Sequence, residues 1–213
     1  MPITAPPQGY QLERHGSSGR PIGPEVNILK DDGTEVSQGS IGNICVRGAP
    51  CFEGYEENEE ANAEAFLPGG WFNTGDLGWV DADNYLYITG RSKEVINRGG
   101  EIISPFEVEE CLLQHPDILK PLCFAAPHDT LQETVGVALV MREGRPRPTL
   151  KKLKKFCAKH LHPSKWPAVI CFVDELPKGP GSGKPQRVQF AERIELVELT
   201  DNMDDADRLY EAK

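Results

Sequence analysis

The sequence changes character at Gly90, and that change limits the chain to two different kinds of domain in succession. Before it, strand-like runs are repeatedly broken by turns. VNILKDDGTEV followed by GNICVRG reads as a hairpin around Asp31-Asp32-Gly33. GWVDADNYLYITG reads as a second hairpin turning at DADN, with Tyr85 and Tyr87 alternating against Leu86 and Ile88. After Gly90, helix signals mix with apolar runs. Ser104, Pro105 and Glu107 form a helix start: a capping serine, a proline in the first turn and the S-x-x-E pattern of a capping box. That helix carries Val108, Cys111 and Leu112 on one stripe and stops before Pro116. The apolar runs PLCFAAP and TVGVALVMR follow. PTLKKLKKFCAKHL then reads as an amphipathic helix with Leu150, Leu153, Phe156, Cys157 and Leu161 on one stripe. AVICFVDEL reads as a strand and RVQFAERIELVEL as a last helix. The expected class is α+β: a β-rich part over residues 1–90, a junction at 91–93 and a small α+β domain over 94–199. The acidic tail over 200–213 is expected to be a mobile end.

A chain of 213 residues holds one or two domains, and its 38% hydrophobic and 26% charged content is ordinary for a soluble globular protein. No apolar run approaches the length of a bilayer span, and MPITAPPQGY lacks the basic and then apolar stretches of a signal peptide. Six cysteines, at 45, 51, 111, 123, 157 and 171, are scattered without C-x-x-C spacing, most in apolar surroundings. They read as reduced core thiols of a cytoplasmic protein. His160 and His162 form the only close histidine pair, with no acid or cysteine cluster beside them in sequence, so no metal site is expected. The net charge of −10 argues against general nucleic-acid binding. Acid gathers in EGYEENEEANAE and the tail, while residues 142–165 are almost purely basic. The lysines of that stretch make either a solvated helix face or a landing surface for an anionic partner.

GPGSGKP, at residues 179–185, invites comparison with a phosphate-cradling loop, G-x-x-x-x-G-K-[ST]. Lys178 stands where the first glycine belongs and Pro185 where the magnesium-binding hydroxyl belongs, so Lys184 is not the lysine of such a loop. Two further stretches stand out. WFNTGDLG places Asp76 on a glycine-flanked turn, where an acid most often bonds its own backbone. GRSKEVINRGGEIISP carries Arg91, Lys93 and Arg98 with a Gly99-Gly100 pair that permits close approach of another molecule.

Together, in this order and spacing, these stretches resemble the C-terminal portion of an adenylate-forming enzyme, the superfamily of acyl-CoA synthetases, peptide-synthetase adenylation domains and luciferases. The resemblance runs over residues 19–199 through GSSGRPIGP, GNICVRGAPCFEGYEENEEANAEAF, GGWFNTGDLGWVDADNYLYITGRSKEVINRGGEIISPFEVEECLLQHPDI and VDELPKGPGSGKPQR. It implies that the β-rich part is the distorted-barrel section of a large domain and that residues 94–199 are a mobile lid. It implies that Asp76 holds the ribose hydroxyls of ATP and AMP, a bidentate acceptor task suited to a carboxylate, and that Arg91 also contacts the nucleotide. Lys93 falls on the hinge between the domains. Lys184 matches the mobile lysine that bridges the substrate carboxylate and the α-phosphate. The family loop runs P-K-T-x-[ST]-G-K, and P-K-G-P-G-S-G-K is one residue longer.

RGGEIISPFEVEE leans toward acyl-CoA ligases, whose pattern is G-G-x-x-I-x-P-x-E-[IV]-E, with the glycines (here Gly99 and Gly100) lining the pantetheine path of coenzyme A. Amino-acid-activating domains more often read K-I-R-G-x-R-I-E. The partners implied are a carboxylic acid and coenzyme A, with ATP and magnesium as cofactors; the basic helix could meet coenzyme A phosphates or an acidic carrier domain. The family's phosphate loop, adenine-contacting segment and magnesium-serving T-E pair lie upstream of the matched region, and MPITAPP resembles the stretch just after that pair. A fragment inactive alone, a gene model begun at an internal methionine and a truncated non-catalytic binding module all stay open, as does an adenylation domain serving a carrier protein.

Overall fold

The structure, a computed structural model, describes residues 3–10, 13–179 and 185–211. The chain divides into two compact units, Met1–Lys93 and Glu94–Lys213.

The first unit comprises β1 (Thr4–Ala5), β2 (Ser17–Pro21), β3 (Glu25–Leu29), β4 (Gly42–Arg47), α1 (Glu59–Ala65), β5 (Phe66–Leu67), β6 (Trp71–Val80) and β7 (Leu86–Arg91). Its sheet runs β1-β2-β7-β6-β4-β3, with β5 added against β6, and every pairing among the described strands is antiparallel. Both expected turns are present, for local reasons. Asp32 Oδ1 accepts from the Thr34 amide at 2.8 Å, and Gly33 takes φ 81°. Asp81 Oδ1 accepts from the amides of Asp83 and Tyr85, each at 2.9 Å, folding DADN back so that β7 lies along β6. The core is small: Ile28, Ile44 and Leu86 are buried, with Val26, Val36 and Val80 packed against them. The expected alternation along β7 does not hold. Tyr85 is buried beside Leu86, whereas Ile88 is 53% exposed. Ile88 lies opposite Gly78, which offers no side chain to pack against. Gly78 has no alternative, because a Cβ there would lie 2.3 Å from the Tyr87 carbonyl oxygen.

The second unit comprises β8 (Ile96–Arg98), β9 (Glu101–Ile103), α2 (Pro105–Leu113), β10 (Ile118–His128), β11 (Gln132–Met141), α3 (Leu150–Cys157), a 3₁₀ turn (Pro163–Lys165), β12 (Val169–Phe172), α4 (Phe190–Arg193) and β13 (Leu209–Glu211). The sheet runs β13-β12-β11-β8-β9, with β10 on the other side of β11. It is mixed: β10 and β11 form an antiparallel hairpin, while β11-β12 and β12-β13 are parallel. Both faces are covered, so its strands are apolar runs and not alternations. Val135, Val137, Leu139 and Ile170 pack with α2 and α3 through Val108, Leu112, Leu150 and Leu153. On the opposite face Leu122, Phe124, Ala138 and Val169 pack with Phe190, Ala191 and Leu199. Together the two units give the strand-rich α+β class.

The structure departs from expectation in four places. Ser104 is the N-cap of α2, but its side chain makes no capping bond, and Glu107 does not complete a capping box: its carboxylate takes Lys165 Nζ at 2.6 and 2.8 Å. An ammonium draws the carboxylate away from a neutral amide. The basic helix α3 ends at Cys157, short of Leu161. The last helix is a single turn, α4, because Gln189 (φ 56°) and Glu195 (φ 51°) on either side are left-handed. The acidic tail is not a mobile end: Leu209–Glu211 pairs in parallel with β12, and Asp205 meets Lys154 Nζ at 3.0 Å.

All six cysteines are unbridged, five of them buried and Cys51 half-buried. Burial pushes the Cys45 thiol up to about 11 and the Cys157 thiol up to about 12, and raises Cys111 and Cys123 as well. Thiolate is the reactive form, so in native protein Cys51 labels first with a thiol reagent, and mass spectrometry finds the buried cysteines modified only after denaturant is added. Gly136 faces the buried Phe124 ring, whose Cε2 would lie 2.6 Å from an added Cβ. Gly136→Ala is expected to lower stability by about 1–3 kcal/mol through overpacking, measured from urea unfolding.

Candidate active site

Asp76 sits inside β6 and not on a turn, and the irregularity next to it comes from Gly75. Gly75 takes φ 76°, its amide donating to Asn73 Oδ1 at 2.9 Å and its carbonyl accepting from Ser92 N at 2.9 Å. Thr74 Oγ1 donates to the Ile44 carbonyl at 2.8 Å and accepts from the Asp76 amide at 3.2 Å. These bonds fix the backbone, and the Asp76 carboxylate faces across the ladder. Asp76 is the register partner of Arg91 on β7, and Arg91 Nε lies 3.0 Å from Asp76 Oδ1. The side chains are 30% and 64% exposed. An ion pair this exposed stabilises by at most about 1 kcal/mol, so fold stability does not account for it. A carboxylate and a guanidinium held side by side and open to solvent can offer both acceptors and donors to a polar ligand. Here the structure brings two of the sequence-identified residues together.

Lys93 is exposed and is the last residue of the first unit. Gly99 and Gly100 form the exposed two-residue turn between β8 and β9, with φ 58° and 93°. Two-residue hairpin turns favour positive φ at both central positions, which gives this glycine pair a local explanation. The Gly99 amide donates to the Leu131 carbonyl at 2.8 Å and the Gly100 amide to Asn97 Oδ1 at 2.8 Å. A Cβ at Gly100 would meet nothing within 4 Å, so the surface above it is open.

Lys184, with Gly181, Ser182 and Gly183, lies outside the described residues. The flanks of that stretch are described. Lys178 and Pro185 form an isolated antiparallel bridge, and the Gln186 amide donates to the Pro177 carbonyl at 3.0 Å. Next in sequence is Arg187, which sequence reasoning did not single out. Its side chain is 9% exposed and its guanidinium is shared among three partners. Nε donates to Glu94 Oε2 at 3.0 Å, and Nη1 donates to Glu109 Oε1 at 2.6 Å and to the Cys123 carbonyl at 2.9 Å. The guanidinium also lies 4.7 Å from the Phe106 ring centroid. Glu94, Glu109 and Arg187 are too far apart in sequence for spacing to have revealed them. The described residues contain no group of three His, Cys, Asp or Glu side chains placed to hold a metal ion. His162 instead bonds Ser164 Oγ at 2.9 Å as the cap of the 3₁₀ turn.

Comparison with known proteins gives concordant matches. Residues 107–184 match the AMP-binding enzyme C-terminal domain family. The chain is 44% identical over 172 residues to an oxalate–CoA ligase of Arabidopsis thaliana, covering 81% of this chain and 33% of that protein. It is 40% identical over 170 residues to a 2-succinylbenzoate–CoA ligase of Geobacillus kaustophilus, covering 79% of this chain and 34% of that protein. Among solved structures, the O-succinylbenzoate coenzyme A synthetase of Bacillus subtilis in complex with AMP matches with a TM-score of 0.77 at 32% identity, over 89% of this chain and 38% of that one. The same enzyme with ATP and a magnesium ion also gives 0.77. The chain thus spans about a third of the length of the curated relatives it matches.

Proposed function

We propose, from a chain that belongs to the acyl-CoA ligase branch of the adenylate-forming superfamily and corresponds to its C-terminal portion, that it serves ATP-dependent activation of a carboxylic acid as acyl-AMP and transfer of the acyl group to coenzyme A. The observation that carries this reading is the exposed Asp76–Arg91 pair, set in register across β6 and β7.

In this reading Asp76 accepts hydrogen bonds from the ribose hydroxyls of ATP and AMP, and Arg91 donates to the nucleotide beside it. Lys184 supplies positive charge where the substrate carboxylate attacks the α-phosphate. Two anions approach one another there, so a cation at the developing charge lowers the barrier directly. Gly99 and Gly100 line the approach of the pantetheine thiol. Magnesium would neutralise the phosphates. The described residues offer no cluster of His, Cys, Asp or Glu side chains for it.

The test joins the chain behind the upstream two-thirds of the Geobacillus kaustophilus 2-succinylbenzoate–CoA ligase, with the chain alone as control. Asp76→Ala is expected to weaken nucleotide use in both half-reactions. Lys184→Ala is expected to slow acyl-AMP formation by about two to three orders of magnitude, as loss of a preorganised charge does, with a smaller effect on thioester formation from supplied acyl-AMP. Single-turnover measurement of each step separates them; equal losses in both for Lys184→Ala would refute its role as the adenylation lysine.

Lys184 and the Gly99-Gly100 turn belong to the same unit and serve different steps, so the unit presents them in turn by rotating at Lys93. A rotation of this kind is absorbed by a few backbone dihedrals at an element terminus. Proline at 93 fixes φ near about −65° and restricts the residue before it. In the joined enzyme Lys93→Pro is expected to leave acyl-AMP formation largely intact and to suppress transfer to coenzyme A. Thermal melting separates a blocked hinge from a misfolded one. A folded variant that makes the thioester at the unsubstituted rate rules out a hinge at this position.

A further inference from the structure

Within the second unit, the middle of β10 is an edge: among the described residues its sheet partner is β11, and beyond that only His128 at its end bridges to Leu199. A strand edge that carries unpaired amide and carbonyl groups needs partners for them. At Cys123 two side chains provide these. The Cys123 amide donates to Glu109 Oε1 at 2.6 Å, and its carbonyl accepts from Arg187 Nη1 at 2.9 Å. Glu109 and Arg187 are themselves 2.6 Å apart, so this pair takes the place of a neighbouring strand. That much is structural and requires only Glu109. The Nε edge of the same guanidinium is engaged at 3.0 Å by Glu94, the first residue of the second unit, directly after Lys93.

Arg187 is thus fixed at once to α2, to β10 and to the residue at the unit boundary. It is also two residues beyond Pro185, which closes the loop base against Lys178. A planar guanidinium with donors on separate edges can hold three partners in fixed directions, which an ammonium cannot. Burial at 9% exposure keeps the three contacts out of competition with water.

We propose that Arg187 is a positioning residue: by holding Glu94, it sets the segment that follows Lys184 against the first residue after the hinge, so that the lysine's reach is measured from a fixed point. The proposal rests on the adenylation role given above to Lys184, though the clamp itself is described without it. In this role Arg187 acts through Lys184.

Glu94→Gln tests it, because the substitution preserves shape, leaves the Arg187–Glu109–Cys123 bonds in place and so spares the fold. Amide hydrogen exchange is followed by NMR on the 213-residue chain. The Gln186 amide, bonded to Pro177, is expected to exchange at least about fivefold faster, while Val137 and Leu139 in the core and the urea midpoint stay unchanged. Arg187→Lys, keeping the charge but not the fork, is expected to give the same local loosening. In the joined enzyme Glu94→Gln is expected to lower the rate of acyl-AMP formation at saturating ATP about tenfold or more, with the KM for ATP little changed, as a misplaced group does. Unchanged Gln186 exchange in Glu94→Gln overturns the clamp. Normal acyl-AMP formation by Glu94→Gln, in an enzyme that Lys184→Ala disables, overturns the positioning role. If Lys184→Ala is itself without effect, the adenylation reading fails, and with it the positioning role, whatever the exchange rates show.

Discussion

The second unit depends on covering its sheet on both faces. Helices α2 and α3 bury Val135, Val137, Leu139 and Ile170 from one side, and Phe190, Ala191 and Leu199 bury Leu122, Phe124 and Val169 from the other. The second cover comes from the C-terminal segment, which begins just after the glycine-rich loop. Packing of Phe190 on Phe124, with ring centroids 4.7 Å apart, therefore fixes the chain a few residues past the proposed catalytic lysine. Gly136 belongs to the same arrangement, because only its missing side chain leaves room for the Phe124 ring.

Pairing with β11 on one side leaves the middle of β10 an edge whose backbone needs side-chain partners, and the Glu109–Arg187 pair answers that need at Cys123. Burying an ion pair carries a desolvation cost that geometry must offset. Here the offset comes from the Cys123 backbone bonds and the Phe106 ring. A structural requirement of the sheet has thus placed a multivalent cation two residues beyond Pro185, which bridges to Lys178. The same cation is in reach of Glu94 at the unit boundary.

The first unit follows the opposite rule. Its core is small, and the Asp76–Arg91 pair lies in the open, held by backbone bonds around Gly75 and not by burial. Weak mutual attraction between exposed charges leaves both groups available to a ligand. Rigid backbone with available side chains is what a binding position requires. The chain covers about a third of the length of the relatives it matches.

Much of the fold was legible because its signals are local. The turns at Asp31-Asp32-Gly33 and DADN, the Val108-Cys111-Leu112 stripe of α2 and the lysine-faced helix α3 depend on neighbours within a few residues, and the structure contains them all. Asp76, Arg91, Lys93, Gly99, Gly100 and Lys184 were identified by family resemblance, since neither periodicity nor spacing distinguishes them from ordinary turn and surface residues. Local reasoning failed wherever a distant partner outweighed a near one. Glu107 gave up its capping box to Lys165, Asp76 turned out to lie on a strand facing Arg91, and the acidic tail returned as β13 beside β12. The sequence by itself determined the strand, helix and turn signals, because those energies are set by adjacent residues. Only the tertiary structure decided that Arg187 would meet Glu94 and Glu109, since an ion pair spanning some ninety residues exists only once the sheet has brought its ends together.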